Sequence, residues 1–266
     1  MTALVCLGLG YCARFYVAEF GSRFDRVIGT SRLPDKKLSA AVQMLVFDGV
    51  HSSPTLRDAI SGASHLLISA APGDAGDPVL ATLADDIAAA AKLQSIVYLS
   101  SLGVYGDHGG AWIDETAPTI PPHTRGAARV DAELAWQALG RQRRIPVAIL
   151  RLGGIYGPGQ NAFVRLVAGR AHRIDKPGHV SNRIHVADIA QAIDAAFSRR
   201  FDGIVNVTDC EPAPPGDQIE FAAKLLGVQV RNDKLKNVLG VTLRYPDYRA
   251  GLQALRDDGF AAAPEV

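Results

Sequence analysis

The residues whose types and spacing best fit a chemical task lie at the start of the chain. Gly8, Gly10 and Ala13 form a G-x-G-x-x-A pattern directly after a short apolar run. Between a strand and a helix, such a turn binds a pyrophosphate through backbone amides and the positive end of the helix dipole. Gly8 permits the tight turn, Gly10 lets the ligand approach the backbone, and Ala13 allows close packing. We therefore predict dinucleotide binding here, with Tyr11 and Cys12 also at the cofactor; a purely structural turn is the alternative.

The ends of the next two predicted strands indicate which dinucleotide is bound. NAD enzymes usually carry an acid about 20 residues after the glycine turn, which holds the ribose 2′-hydroxyl. Here that strand ends instead in Ser31 and Arg32. Because a guanidinium forms paired hydrogen bonds with phosphate, we expect NADP(H), with NAD as the second choice and a solvated Arg32 as the alternative. Asp48, after the third strand, is either an acceptor for the adenine amino group or a turn residue.

The composition excludes several other kinds of site and partner. The three cysteines have neither CxxC spacing nor paired histidines, so no metal site and no redox centre is expected. Lys plus Arg (28) and Asp plus Glu (27) leave a net charge of +1, which gives no basic field for nucleic acid or an anionic membrane. No apolar run approaches the length of about 18 residues that a membrane helix needs. We expect a cytoplasmic protein with a small-molecule substrate.

Strands and helices alternate along the first two-thirds of the chain. Short β-branched runs, typical of strands covered on both faces, alternate with longer segments of helical spacing. This alternation predicts an α/β fold: a Rossmann-type doubly wound parallel sheet with right-handed crossovers. The predicted strands are residues 3–7, 26–30, 42–47, 65–69, 95–99, 146–150 and 203–207. The predicted helices are residues 11–20, 77–93, 125–141, 161–171, 186–198, 217–226 and 245–255.

The composition of the sequence changes after residue 152, because residues 153–159 are rich in glycine and also contain proline. We therefore assign residues 1–152, joined by residues 185–208, to the dinucleotide-binding Rossmann domain. Residues 153–184 and 209–266 are expected to form a small C-terminal substrate-binding lobe. This lobe would lie against the sheet and pass one strand back to it.

Five segments together resemble a known family. They are the glycine turn, LSSLGVYG at 99–106, DETAP at 114–118, LRLGGIYGPG at 150–159 and IHVADIA at 184–190. In this order they are similar to the extended short-chain dehydrogenase/reductase superfamily, within its NAD(P)-dependent epimerase/dehydratase group. The resemblance implies a Rossmann domain, a small C-terminal lobe and a cleft at the C-terminal ends of the strands. Further residues assigned to the cofactor site are Ala70, Ala71, Pro72, Ser100, Gly154 and Ile155, the last two beside the nicotinamide.

The resemblance also implies a reaction centre of Ser or Thr plus Tyr-x-x-x-Lys. In the family, the Tyr passes the proton and the Lys lowers the pKa of that Tyr while it holds the ribose. Ser101 matches the Ser, although a strand-end cap is its alternative role. Gly126 and Glu133 fix the register of the next motif, which places Arg125 at the Tyr position and Arg129 at the Lys position. A guanidinium stays protonated at physiological pH, so the chain resembles an atypical branch of the superfamily that lacks the Tyr.

The roles of the two arginines stay open at this point. Four residues apart on one helix face, both could hold an anionic substrate or cofactor phosphates; alternatively, Arg125 faces solvent and only Arg129 reaches the ribose. Tyr105 and His123 are the candidates for a replacement acid, with a structural Tyr105 and an exposed His123 as the alternatives.

These residues predict an NADP(H)-binding oxidoreductase or epimerase-like protein. Its substrate would be a small carbonyl or hydroxyl compound or a molecule like a nucleotide sugar. A catalytically silent NAD(P)-binding sensor or regulatory protein is the alternative. Helices 77–93 and 125–141 match a pair through which members of the family often dimerise, so a homodimer is also expected.

Overall fold

A computed structural model of the chain describes residues 1–33, 42–161, 164, 180–213, 229–230 and 232–259. The strands are β1 (Ala3–Leu7), β2 (Arg26–Ser31), β3 (Val42–Val46), β4 (His65–Ile68), β5 (Ser95–Ser101), β6 (Trp112–Ile113), β7 (Val147–Leu152), β8 (Gly154–Tyr156), β9 (Arg183–His185), β10 (Gly203–Val207) and β11 (Gln229–Val230). The helices are α1 (Tyr11–Phe20), α2 (Pro54–Ser61), α3 (Pro78–Ala89), α4 (Thr124–Arg143), α5 (Val186–Ser198), α6 (Asp233–Asn237) and α7 (Tyr248–Asp257).

One parallel sheet of seven strands organises the molecule. Its strand order is β10-β7-β5-β4-β1-β2-β3, and every neighbouring pair in it is parallel. The order reverses between β1 and β4, which creates a crevice beyond the C-terminal ends of these two strands. The predicted doubly wound Rossmann-type α/β fold is therefore confirmed. Two short parallel pairs, β6 with β11 and β8 with β9, lie outside the main sheet.

Both faces of the sheet are covered, and β1 shows how the sequence achieves this. Leu4 and Cys6 pack into the core on the side of α1 and α5, whereas Val5 and Leu7 pack into the core of α2, α3 and α4. Successive side chains of a strand point to opposite faces, so a strand buried on both faces must be apolar throughout. This requirement explains the uninterrupted apolar run before the glycine turn.

The predicted elements agree closely with those observed, although helices α2 and α6 and the short strands β6, β8, β9 and β11 were not predicted. The bounds predicted for β1, β10, α1 and α5 match, and the other predicted strands differ by one or two residues at their ends. Helix α2 was not predicted, although Ser53 and Pro54 form a recognisable start: Ser53 Oγ accepts from Leu56 N at 3.2 Å, and Pro54 opens the first turn. Apart from residues 161 and 164, the helices predicted at 161–171 and 217–226 lie outside the described residues. The division into two lobes stays a prediction.

A buried carboxylate joins α3 to α4. Asp77 caps α3 by accepting from Val79 N (2.8 Å) and Leu80 N (3.0 Å), and its second oxygen accepts from Trp136 Nε1 on α4 (3.0 Å). The homodimer expected through these two helices stays a prediction. Within the described part of the chain, none of the helices combines the length and the apolar character required to cross a membrane.

Candidate functional site

The turn between β1 and α1 has a backbone that only glycine fits. Gly8 has φ of +92°, and a Cβ at this position would lie 2.7 Å from the amide nitrogen of Ala70. Two hydrogen bonds to β2 hold the turn: Gly8 N donates to Thr30 Oγ1 (2.8 Å) and Leu9 N donates to Thr30 O (2.7 Å). Any side chain at Gly8 would therefore meet both backbone strain and a steric clash.

The next glycine borders open space. Gly10 is the N-cap of α1, with φ of −87° and no side-chain hydrogen bond to the first turn. A Cβ at Gly10 would meet no atom within 4 Å. The first-turn amides and the helix dipole therefore face a region that an anionic group could enter. Cys12 and Ala13 are buried, and Tyr11 Oη donates to Pro158 O at 2.9 Å; these three side chains pack into the protein.

A cavity of about 1120 Å³ opens at the glycine turn. This volume lies slightly above the usual range for small-molecule sites, about 300–1,000 Å³, so a nucleotide fits. The cavity lies at the C-terminal ends of β1, β2, β3 and β4. Of the residues assigned to the cofactor from sequence, those that line it are Gly8, Gly10, Ser31, Arg32, Asp48, Ala70 and Ala71. Pro72, which follows Ala71, is buried and is not part of the lining.

Three arginines contribute to the cavity wall: Arg14, Arg32 and Arg57. Arg14 Nε donates to Leu9 O at 3.2 Å, and Arg57 forms an ion pair with Asp86. The side chain of Arg32 is exposed at the end of β2. Sequence reasoning identified Arg32 but missed the other two, since Arg57 lies on the unpredicted helix α2. Arg14 follows the glycine turn directly, and that position was the available signal. The arginines make the wall suitable for an anionic ligand.

Asp48 is held by its own turn. Its carboxylate accepts from His51 N (2.7 Å), His51 Nδ1 (2.9 Å) and Val50 N (2.8 Å). These hydrogen bonds, with that from His51 N the largest contribution, keep the pKa of Asp48 well below its usual range. The carboxylate is therefore a fixed negative charge at the cavity edge. This geometry favours the turn alternative, and a contact with adenine stays a prediction.

The loop after β4 forms the opposite wall of the cavity. Gly73 and Gly76 exchange two backbone hydrogen bonds, each of 3.0 Å, so the loop folds back on itself. Asp74 and Ala75 at its tip line the cavity together with the two glycines. Only the first residues of this loop, Ala70, Ala71 and Pro72, were predicted from sequence to belong to the site.

The C-terminal end of β5 carries the candidate catalytic serine. Ser101 is half-buried, and its Oγ accepts from Gly103 N at 3.1 Å, which is the strand-end cap expected as its alternative role. Its neighbour Ser100 is buried, with its hydroxyl donating to Glu133. The side chain of Ser100 is thus directed into the protein. Beyond β7, Gly154 and Ile155 begin β8, at the same edge of the sheet as Ser101.

The two arginines on α4 have different environments. Arg125 is exposed in the first turn of α4, whereas Arg129 is half-buried and donates from Nη1 to Leu99 O at the end of β5 (3.1 Å). This difference favours the alternative in which only Arg129 reaches the cofactor. His123 is exposed just before the helix.

Tyr105 is enclosed by protein. Its ring is fully buried beneath the Arg151 guanidinium, whose carbon lies 4.7 Å from the ring centre, and its Oη donates to Asn206 Oδ1 at 2.7 Å. Burial raises the pKa of the phenol, which outweighs the opposing effect of Arg151. The structure therefore favours the structural role of Tyr105 over that of a replacement acid.

A buried aspartate, Asp209, lies just beyond β10. Asp209 is 2% exposed; its backbone N donates to Arg183 O (2.7 Å), while its Oδ2 has no hydrogen-bond partner among the described residues. Burial raises the pKa of Asp209 to about 8. The folded chain therefore retains a proton that the unfolded chain releases near pH 4.

Replacement of Asp209 by Asn is expected to stabilise the protein in alkaline solution. A raised folded-state pKa gives stability that is complete below about pH 4 and is lost as the pH rises through about 8. Asp209→Asn should be more stable than the unaltered chain by at least about 1 kcal/mol at pH 8.5, and the difference should nearly vanish at pH 4. Urea unfolding at both pH values measures this, with Asp85→Asn, an exposed residue of α3, as the control. Equal stability of Asp209→Asn and the unaltered chain at pH 8.5 would contradict the raised pKa.

A family model and individual proteins match this chain. The model of the NAD dependent epimerase/dehydratase family matches residues 79–208. Protein YeeZ from Escherichia coli K12 is 28% identical over 277 aligned positions, which cover 93% of this chain and 97% of YeeZ. Both matches extend through the end of β5, α4 and β7.

Two solved structures are similar in fold. A conserved protein of unknown function from Silicibacter pomeroyi is 42% identical, with a TM-score of 0.85 and coverage of 99% of this chain and 100% of that one. MoeE5, solved in complex with UDP-glucose and NAD, is 21% identical with a TM-score of 0.75, and covers 95% of this chain and 96% of its own. The second likeness shows the fold alone.

Proposed function

We propose that the chain, whose residues 79–208 match the model of the NAD dependent epimerase/dehydratase family, binds NADP(H) and catalyses hydride transfer with a small organic substrate. The observation that carries the proposal is the cavity at the switch point of the sheet, bounded by Gly8, Gly10 and Arg32. The switch point of an open parallel sheet is where dinucleotides bind in this fold class.

The residues present fit the adenosine half of such a cofactor. A Cβ at Gly10 would project into space that no protein atom occupies, which is what a bound pyrophosphate requires. Arg32, supported by Arg14 and Arg57 in the same wall, supplies positive charge for a 2′-phosphate. MoeE5 binds NAD on a similar fold, whereas the end of β2 in this chain carries Arg32 in place of the usual acid.

Replacement of Arg32 by Ala tests the choice of cofactor. Loss of a charge-assisted contact to the 2′-phosphate should weaken NADPH binding by about 10- to 100-fold and leave NADH binding unchanged. Calorimetric titration of both nucleotides gives the ratio of the two dissociation constants. Arg26→Ala, an exposed arginine at the opposite end of the same strand, serves as the matched control. An unchanged NADPH/NADH ratio in Arg32→Ala would remove the preference for NADP(H).

The proposed chemistry must proceed without the family's Tyr. When bound, the cofactor would supply or accept the hydride, and the proton that the reacting oxygen gains or loses would be exchanged with solvent water, since neither Arg125 nor the buried Tyr105 can carry it. Ser101 ends β5 and can donate a hydrogen bond to the reacting oxygen, while Arg129, which donates to Leu99 O at the same strand end, would hold the ribose. The guanidinium of Arg125, exposed at the start of α4, cannot cycle a proton in place of the Tyr. Suitable substrates are small carbonyl or hydroxyl compounds and molecules like nucleotide sugars.

The second candidate function is a silent NADP(H)-binding sensor. Two observations favour it: Arg125 stands where the family has its catalytic Tyr, and the hydroxyl of Tyr105 is buried in the protein. Steady-state NADPH oxidation and NADP⁺ reduction, across a panel of carbonyl compounds, alcohols and nucleotide sugars, separates the two functions. Turnover with any of them supports the enzyme, whereas tight NADPH binding without turnover supports the sensor.

A further inference from the structure

A buried ionic cluster lies directly behind the end of β5. We infer that Glu133, with Arg151 and Ser100, positions Ser101 and Arg129 for the nicotinamide half of the cofactor. We call these three residues the carboxylate clamp. The inference rests on the proposed function, because it assigns the clamp a role at that site.

The contacts of the clamp are extensive. Glu133 on α4 is 2% exposed and Arg151 on β7 is 4% exposed. Arg151 Nη2 donates to Glu133 Oε2 at 2.7 Å, and Arg151 Nε lies 3.2 Å from both carboxylate oxygens. The hydroxyl of Ser100 donates to Glu133 Oε1. One carboxylate therefore binds side chains from two strands.

The register of the sheet explains how these groups meet. Ser100 on β5 and Arg151 on β7 are direct partners across the parallel pair. Paired residues of neighbouring strands point to the same face, so both side chains face α4, and Glu133 inserts between them. Burying the guanidinium would lower the pKa of Arg151, but the hydrogen bonds and charge of Glu133 reverse this and raise it. The pair is thus charged and fixes α4 against both strands.

The clamp fixes residues that lie close to the functional residues in the chain. Ser101 follows Ser100 directly, and Arg129 lies one helical turn before Glu133. Arg129 also donates to Leu99 O (3.1 Å), so α4 holds two successive residues at the end of β5. A displacement of about 1 Å in a reacting group is enough to impair catalysis, so the position of this strand end matters.

A second layer extends the clamp to other loops of the cleft. The Arg151 guanidinium stacks on Tyr105, whose hydroxyl binds Asn206 on β10. The backbone N of Asn206 donates in turn to Glu115 Oε1 at 2.8 Å. The contact between Arg151 and the buried Tyr105 thus holds β7 against the loop after β5. This arrangement explains why a tyrosine of the cleft region is turned inward.

Fold stability alone is the alternative role for this cluster. Buried ion pairs are weak evidence for that role, because apolar residues of similar volume often stabilise a core as well or better. An ion pair fixes direction and distance, which apolar packing does less strictly. The test must therefore separate positioning from stability.

Glu133→Gln separates the two roles because it keeps the size of the side chain and removes its charge. We expect the dissociation constant of NADPH to rise about tenfold, with that of adenosine 2′,5′-bisphosphate unchanged, since the latter occupies only the cavity beside Gly10. Calorimetric titration with both ligands gives the ratio of the NADPH dissociation constant to that of adenosine 2′,5′-bisphosphate. Trp136→Phe, which perturbs the buried far side of α4 at Asp77, is the matched control and should leave the ratio unchanged.

Each outcome of this experiment decides the matter. A raised ratio in Glu133→Gln but not in Trp136→Phe supports the positioning role. An unchanged ratio in folded Glu133→Gln overturns it while the proposed function stands. If the unaltered chain binds neither ligand, both the function and the inference fail. Should Glu133→Gln not fold, Ser100→Ala, which leaves the ion pair intact, must raise the ratio about threefold, and an unchanged ratio there overturns the role.

Discussion

Gly10→Val is expected to abolish binding of both NADPH and adenosine 2′,5′-bisphosphate while the chain stays folded. A Cβ at Gly10 meets no protein atom within 4 Å, and φ of −87° is accessible to valine. The isopropyl group would instead occupy the space in front of the first-turn amides of α1, where the pyrophosphate is proposed to bind. We expect a loss of at least about 100-fold in affinity, which corresponds to about 2.7 kcal/mol. Calorimetry measures the affinity, and the circular dichroism melting curve reports the fold.

The choice of position makes this experiment specific to binding. A substitution at Gly8 would combine φ of +92° with a clash against Ala70, so lost binding there could result from a damaged turn. Gly62→Val is the matched control, because Gly62 ends α2 with φ of −88° and lies outside the cavity. Binding by Gly10→Val within threefold of the unaltered chain would show that the pyrophosphate does not lie at α1.

The parts of the fold that were predictable depend on signals within a few residues of one another. The apolar run of β1, the glycine turn and the start of α1 are local patterns, and all three were located correctly. Arg32 was found because it directly follows β2. Helix α2 was not predicted, although its start, Ser53 followed by Pro54, is a local pattern of the same kind.

The rest of the site depends on which strands lie next to one another. From sequence, Glu133 could be used only to align its segment with the family motif. Its structural role was not predictable, because the pairing of β5 with β7 brings its partners Ser100 and Arg151 together. The inward direction of Tyr105 follows from Asn206, about a hundred residues later in the chain. Arg57 reaches the cavity only because α2 packs beside α3. Such contacts have no local pattern, and a single sequence does not reveal them.

Arg151→Met is expected to destabilise the protein by about 3–5 kcal/mol, the largest stability effect we foresee. Methionine has a similar volume but leaves the carboxylate of Glu133 buried without its cation. Glu133 then keeps only the hydrogen bond from Ser100, which does not compensate for the loss of the positive charge of Arg151. Urea unfolding at pH 7 measures the free energy of unfolding, and an unchanged m-value would show that the native state stays compact.

The double variant Glu133→Met/Arg151→Met should recover most of this loss, because it removes both buried charges and leaves the volume nearly unchanged. We expect it to lie within about 2 kcal/mol of the unaltered chain. A double variant as unstable as Arg151→Met would mean that the cluster serves chiefly the stability of the core. A stable double variant with a raised ratio of NADPH to adenosine 2′,5′-bisphosphate dissociation constants would show the opposite: the chain folds without the ion pair, but the end of β5 no longer fits the nicotinamide half of the cofactor.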